Sequence, residues 1–341
     1  MEPFIQVPQA KFFARVLSIE IARVAERAAV AAAVYRGLRS PDLAVNAATK
    51  AILRELGKLP IEGTIVSSGE GERDGIPTRM EGKSIGRQEG GFKVDVALDP
   101  LDGRSLCADN MPGAVTVLAI SEKGTLLRAP DVYMDKIAIG PGHEEGVVDL
   151  RYTAVENIER FARAKGGKPK DITVLVLKRP RNDKIVEAVK TTGARVRLLQ
   201  DGDVIGAMQV AQPDATGVDI YMGIGGAPEG VLAAAALYCM GGQFIGRYAP
   251  SASQLDRVER LDVNRIFRTK DFVRGDCHFA ATGVTDGTLL RGVRFRKPFI
   301  ETETIVMRSL TGSVRRITTE HRELGKFDLP PEFEADFSIS V

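Results

Sequence analysis

Beyond about Leu150 the chain alternates short apolar runs rich in β-branched residues with helical segments, and this alternation constrains the fold more than any other feature. Residues 173–177, 194–199 and 218–222 read as strands; residues 183–191, 204–210 and 229–240 read as helices. Strands separated by helices of this length cannot form hairpins, so they predict βαβ units and a largely parallel sheet. The connector Gly166-Gly-Lys-Pro169 suggests a boundary near residues 150–170. The expected division is an N-terminal α/β domain over 1–160 and a C-terminal α/β domain over 161–341.

The first half starts differently. Residues 12–36 are Ala-rich, with apolar positions at three- and four-residue intervals and no internal Gly or Pro, which predicts a long amphipathic helix. After the break at 37–41, Asp42 is placed to cap a second helix over 43–56, stopped by Gly57. Strands are expected at 63–68 and 93–98, the first running into Gly69-Glu-Gly-Glu72 and the second stopping at Asp99-Pro100. Residues 114–120 and 125–127 around Ser121-Glu-Lys-Gly124 read as a hairpin, residues 132–139 as a further strand, and residues 248–276 as irregular or helical.

Charge narrows the partners. The 341 residues carry 47 Lys+Arg against 45 Asp+Glu, a net +2, which supplies no overall field for nucleic acid or an anionic membrane. Cys107, Cys239 and Cys277 form no Cys-x-x-Cys pair, so neither a disulfide framework nor a thiolate zinc site is expected, and a reducing cytoplasm is the simplest compartment. The N-terminus lacks the apolar core of a signal peptide, and no apolar run is long enough to span a bilayer. A small-molecule partner is expected.

Five motifs carry chemistry. In Asp99-Pro-Leu-Asp-Gly103 two carboxylates project from one turn at a strand end, a geometry that suits a hard divalent cation or merely caps the turn. Glu70 and Glu72 follow another strand between glycines, as ligands or as solvated surface. The run Gly223-Ile-Gly-Gly-Ala-Pro-Glu229-Gly230 joins a strand to a helix but lacks the dinucleotide Gly-x-Gly-x-x-Gly spacing, which favours Glu229 as a metal ligand. Lys178-Arg-Pro-Arg181 gathers three cations that grip a phosphate or simply face solvent, and Asp201-Gly-Asp203 accepts sugar hydroxyls or caps the next helix. His143, His278, His321 and Cys107 stand in no nucleophile motif and are expected to be structural or surface residues.

Taken in order, these residues resemble the class II fructose-1,6-bisphosphatases of the lithium-sensitive, metal-dependent sugar phosphatase superfamily. The resemblance runs from Ile19-Glu-Ile-Ala-Arg-Val24 and Ala44-Val-Asn-Ala47 through Gly63-Thr-Ile-Val66, Gly69-Glu-Gly-Glu72 and Asp99-Pro100. Ala129-Pro-Asp-Val-Tyr-Met134, Pro180-Arg181, Asp201-Gly-Asp-Val204, Gly223 to Gly230, Ala281-Thr-Gly-Val284 and Glu301-Thr-Glu-Thr304 follow. It implies a layered α/β/α/β/α fold with two mixed sheets, Mn²⁺ or Mg²⁺ as cofactor, and removal of the 1-phosphate from fructose 1,6-bisphosphate or sedoheptulose 1,7-bisphosphate. It further implies a role in gluconeogenesis and glycerol metabolism, and assembly as a dimer or tetramer. By position in the motifs it implies metal ligation by Asp42, Glu70, Asp99, Asp102 and Glu229. The substrate pocket implied comprises Asp102, Gly103, Arg104, Tyr133, Arg179, Pro180, Arg181, Asp201, Gly202, Asp203 and Gly226.

The family usually reads Asp-Pro-x-Glu-Gly-Thr where this chain reads Asp99-Pro-Leu-Asp-Gly-Arg104-Ser105. The threonine hydroxyl there helps orient the attacking water, and an arginine cannot accept that proton. Ser105 is the substitute if the turn is shifted by one residue, giving Glu70, Asp99, Asp102 and Ser105 as the implied catalytic set. The alternative readings are a paralogue that binds a phosphosugar without turnover and a phosphatase for another sugar or inositol phosphate.

Overall fold

The computed structural model describes residues 9–69, 80–87, 90–259, 261–331 and 333, with side chains from residue 16 onward. The N-terminal half holds α1 (Gln9–Ala33), α2 (Pro41–Leu56), β1 (Ile61–Ser68), β2 (Ser84–Ile85), β3 (Phe92–Asp102), α3 (Arg104–Ala108), β4 (Val115–Glu122) and β5 (Tyr133–Ile139). Then follow α4 (Ala154–Ala164), β6 (Thr173–Leu177), α5 (Asp183–Thr191), β7 (Arg195–Leu199), α6 (Asp203–Met208), α7 (Pro213–Thr216), β8 (Ile220–Gly226) and α8 (Ala227–Met240). The chain continues through β9 (Gln243–Tyr248), β10 (Phe267–Arg268), α9 (Thr269–Phe272), β11 (Cys277–Gly283), β12 (Arg294–Arg296), β13 (Phe299–Arg308) and β14 (Ser313–His321).

Two mixed sheets result. One has the order β12-β13-β11-β4-β3-β1-β2, with β14 also on β13; the other is β10-β9-β5-β8-β6-β7. Neither is confined to one side of residue 160: β5 belongs to the second sheet and β11 to β14 return to the first. The expected parallel layer is realised only in β8-β6-β7, because β5, β9 and β10 join antiparallel.

The layering follows from which helices are apolar all round. α8 buries eleven of its fourteen residues, five of them Ala, and a helix without a polar face must be covered on every side. It lies between the sheets, touching β1, β3, β4, β11 and β13 on one side and β5, β8 and β9 on the other. α1 and α2 cover the outer face of the first sheet, while α4 and α5 pack on the outer face of the second around Ile158, Phe161 and Val189. The order is α/β/α/β/α.

Several local expectations are corrected. α1 begins and ends about three residues early, at Gln9 and Ala33. The residue before α2 is Ser40, and Asp42 sits exposed in the first turn, where its charge favours the positive end of the helix. No hairpin forms at 121–124: Leu126 makes only an isolated bridge with Val273, and β4 pairs instead with β3 and β11. The stretch 248–276 holds a 3₁₀ turn at Ala252–Val258 besides β10 and α9.

The most consequential correction concerns Pro100. The strand does not stop there but continues to Asp102 through an irregularity, with Asp99 opposite Val117 and Asp102 opposite Val115. Three steps on β3 therefore match two on β4. Side chains alternate faces along a strand, so Asp99 and Asp102 would point apart; one extra residue returns Asp102 to the face of Asp99. Thr116 steadies the bulge by donating to the Pro100 carbonyl at 2.8 Å.

Candidate active site

The bulge of β3, the start of α6, the turn after β6 and the start of α8 converge on one cleft. Asp99 is buried and its Oδ1 accepts the Leu101 amide at 2.9 Å. Asp102 is buried, with Oδ2 accepting the amides of Val204 and Ile205 at 3.1 and 3.2 Å. Burial raises its pKa well above the ordinary carboxylate value, and Asp99, Asp201 and Asp203 add to the effect against the Ile205 amide. Glu229, in the first turn of α8, is pushed up to about 8 by burial, with Asp99 and Asp203 adding and Lys136 opposing. Its Oε2 is sealed from solvent and has no hydrogen-bond partner among the described residues.

Buried carboxylates that repel one another, one with an orphan oxygen, form a donor set that favours a cation. Hard oxygen donors of this kind suit Mg²⁺ or Mn²⁺, so the residues fit a divalent ion. Among the described residues no three Asp, Glu, His or Cys side chains already form a closed metal-binding group. Glu70 lies outside the described residues. Its neighbour Gly69 donates its amide to the Leu98 carbonyl at 3.0 Å, and a Cβ there would come within 2.6 Å of Asp99 Oδ2, so only glycine permits this approach. Asp42 lies in the first turn of α2, and the loop before that helix is tied to α3 by the Gly37 and Arg39 amides, which donate to the Cys107 and Ala108 carbonyls.

Asp201 links the acidic half to the basic half. Its Oδ2 accepts the Ser105 hydroxyl at 2.6 Å and the Ser105 amide at 3.2 Å, while Oδ1 accepts Arg179 Nη2 at 3.2 Å. Gly103 and Gly202, at φ +83° and +85°, begin α3 and α6 with left-handed turns that an L side chain resists. Arg104, half-buried, opens α3.

The basic wall is ordered by its own contacts. Pro180 starts a 3₁₀ turn after β6, and Arg181 donates from Nε to the Ile224 carbonyl at 2.8 Å. The Arg181 guanidinium lies over the Tyr133 ring, 4.2 Å from its centroid. Burial lowers the Arg181 pKa, whereas Tyr133, Asp203 and Glu229 oppose that shift. Tyr133 pairs in register with Gly226, which brings the aromatic ring, the arginine and the start of α8 to one place.

Four residues here escaped the sequence reading. Lys136 is buried and pairs with Asp203 Oδ2 at 2.5 Å, while Tyr221 donates its hydroxyl to Asp203 Oδ1. Asn182 holds the Ile224 amide at 2.7 Å and the Leu177 carbonyl at 2.8 Å. Gln254 accepts the Tyr133 amide at 3.2 Å, tying the 252–258 turn to the pocket. A signal for Lys136 was available: it shares the face of Met134 and Ala138 in the inter-sheet core, where a lysine is out of place. The other three signal nothing locally, because their partners are distant in sequence.

Two of the histidines are held in buried hydrogen bonds. His278 Nδ1 shares a hydrogen bond with Ser18 Oγ at 2.9 Å and His321 Nε2 with Thr302 Oγ1 at 2.9 Å, both buried. No described helix is long and apolar enough to cross a membrane.

Comparison with known proteins adds an independent line. Residues 15–321 match the family described as bacterial fructose-1,6-bisphosphatase, glpX-encoded. A protein of Synechococcus sp. (strain JA-3-3Ab), named D-fructose 1,6-bisphosphatase class 2/sedoheptulose 1,7-bisphosphatase, is 38% identical over 338 residues, covering 91% of this chain and 96% of the relative. The fructose-1,6-bisphosphatase class 2 of Haemophilus influenzae is 37% identical over 324 residues, covering 90% and 96%. With the match spanning both the carboxylate cluster and the arginine wall, the chain belongs to the glpX-encoded family of bacterial fructose-1,6-bisphosphatases.

Proposed function

We propose that this protein is a divalent-metal-dependent phosphatase that removes the 1-phosphate of fructose 1,6-bisphosphate, with sedoheptulose 1,7-bisphosphate as a second substrate. The observation that carries this reading is the charge division about Asp201: buried carboxylates on one side, Arg179 and Arg181 on the other. A substrate with two phosphates matches it, one held by the arginines and the other against the carboxylates. The names of the relatives support the same chemistry.

Asp99, Asp102 and Glu229, with Glu70 and Asp42, are the residues that would hold Mn²⁺ or Mg²⁺. When bound, such an ion polarises the phosphoryl oxygens and lowers the pKa of a water. The chain's own residues do the rest. Arg179 and Arg181 grip the distal phosphate, the latter held over the Tyr133 ring. Gly103, Arg104, Pro180, Gly202 and Gly226 shape the walls, and Asp201 and Asp203 accept sugar hydroxyls. Ser105 donates its hydroxyl hydrogen to Asp201, so its oxygen lone pairs can accept a hydrogen bond from the attacking water, and a proton leaving that water would replace the serine proton as the latter passes to the Asp201 carboxylate.

Phosphate release from fructose 1,6-bisphosphate with and without Mn²⁺ tests the reading; no release from any sugar bisphosphate sinks it. Ser105→Ala is expected to lower kcat by about 10²-fold or more, the usual size of a lost proton-transfer partner. A kcat within twofold of wild type would remove Ser105 from the mechanism. We assign the protein to the cytoplasm, consistent with three free buried cysteines, where it would serve gluconeogenesis and glycerol use. A dimer or tetramer is expected by light scattering.

A further inference from the structure

Lys136 is the least expected charge in the molecule. It stands at the middle of β5, paired opposite Gly223 on β8 and Gly246 on β9, with its side chain only 1% exposed. Burying an ammonium group in a sheet interior is costly unless it is paired, and even a good buried pair is seldom more stabilising than an apolar side chain of the same size. Stability therefore does not explain it.

Its surroundings are arranged around Asp203. Lys136 Nζ meets Asp203 Oδ2 at 2.5 Å, and the Tyr221 hydroxyl takes Oδ1, so both carboxylate oxygens are pinned and the side chain cannot rotate. The lysine reaches that point because Gly225 has no side chain: a Cβ there would fall on Asp203 Oδ2 and lie 3.1 Å from Lys136 Nζ. Asp203 acts electrostatically on Asp102, Glu229 and Arg181 alike, which sets it between the carboxylate cluster and the arginine wall. Each of its oxygens keeps a lone pair for one further donor.

We propose that Lys136 is a positioning residue for the bisphosphatase reaction: with Tyr221 it locks Asp203 in the orientation that accepts a sugar hydroxyl and so sets how tightly the substrate is held. This rests on the function proposed above. It assigns Lys136 no contact with the substrate. The effect should appear mainly in KM, because a fixed acceptor for a hydroxyl remote from the reacting phosphorus contributes equally to ground state and transition state.

The test uses Lys136→Met, Tyr221→Phe, Asp203→Asn and the double variant Lys136→Met/Asp203→Asn, assayed for KM and kcat on fructose 1,6-bisphosphate with Mn²⁺. Tyr221→Phe removes one hydroxyl and is expected to fold, raising KM about threefold to tenfold with kcat within about twofold, the effect of one hydrogen bond. Lys136→Met is expected to raise KM by about tenfold or more, yet to add less than about twofold in the Asp203→Asn background, since it acts through that carboxylate. An unchanged KM in folded Tyr221→Phe, or a Lys136→Met loss that adds fully to that of Asp203→Asn, overturns the proposal. If wild type releases no phosphate, the function reading fails by itself, and calorimetric binding of fructose 1,6-bisphosphate to the same variants decides this one. Weakened binding upholds it; unchanged binding, or none to wild type, overturns it.

Discussion

At the scale of single residues the site is defined by unmet electrostatic demand. Glu229 shows it most directly, with a pKa pushed up to about 8 and an oxygen that no described group reaches. Replacing this carboxylate by a carboxamide removes the repulsion but also the ligand. Glu229→Gln is therefore expected to raise the Tm of the metal-free protein by a few degrees, about 1 kcal/mol or more in a chain of this size, and to reduce the Tm gain on adding Mn²⁺. Differential scanning calorimetry with and without Mn²⁺ reads both, and a Mn²⁺ response equal to wild type would exclude Glu229 as a ligand. The sequence named Asp99, Asp102, Arg181, Asp201 and Glu229 because turn residues at strand ends are visible in one dimension, whereas Ser105 came only through the family resemblance. Lys136, Asn182, Tyr221 and Gln254 were not named, since each acts through a partner fixed only by folding.

At the scale of elements, α1 is fastened to the first sheet by buried polar contacts as well as by its alanines. Ser18 meets His278 on β11, Glu26 accepts the Thr319 hydroxyl on β14 at 2.8 Å, and His321 ends β14. Lys326 has no acceptor, so its 3.0 Å contact makes His321 Nδ1 the acceptor and leaves Nε2–H to donate to Thr302. Burial lowers both histidines to about 4, with Lys326 and Arg27 adding at His321 and Asp276 opposing at His278. Their folded pKa values lie below the ordinary 6.5, so the unfolded chain binds more protons between those limits and stability falls as pH falls from about 6.5 toward 4. Each histidine contributes at most about 3 kcal/mol to that loss. Urea denaturation at pH 7.5 and 5.0 should show it, and His321→Gln should flatten the dependence; an equal slope in that variant would count against the assignment. The bulge in β3 belongs to this scale too. Its proline suggested a strand end, yet antiparallel pairing with β4 carries the strand past it, and that continuation turns Asp102 toward Asp99.

At the scale of the whole molecule, one apolar helix decides the layering. α8 fills the space between two sheets with alanines, and its first turn carries Glu229 into the cleft. Ala235 is fully buried there, so Ala235→Leu should overpack the interface, costing about 1–3 kcal/mol. Because the same helix sets Glu229, Mn²⁺ affinity by calorimetry should weaken with Tm; a fall in Tm alone would show that helix position and site are uncoupled. By itself the sequence determined most of the elements and the candidate chemistry: carboxylates near strand ends, a glycine-rich entry to an apolar helix, and a cationic turn, because hydrophobic period and turn residues act over a few positions. It left open the partner of each strand. β5 crosses to the second sheet and β11 to β14 return to the first, so sequence adjacency did not reveal which carboxylate faces which arginine. Only tertiary structure set Asp201 between Ser105 and Arg179 and placed a buried lysine beside Asp203, since those contacts join residues that come together only when both sheets close on α8.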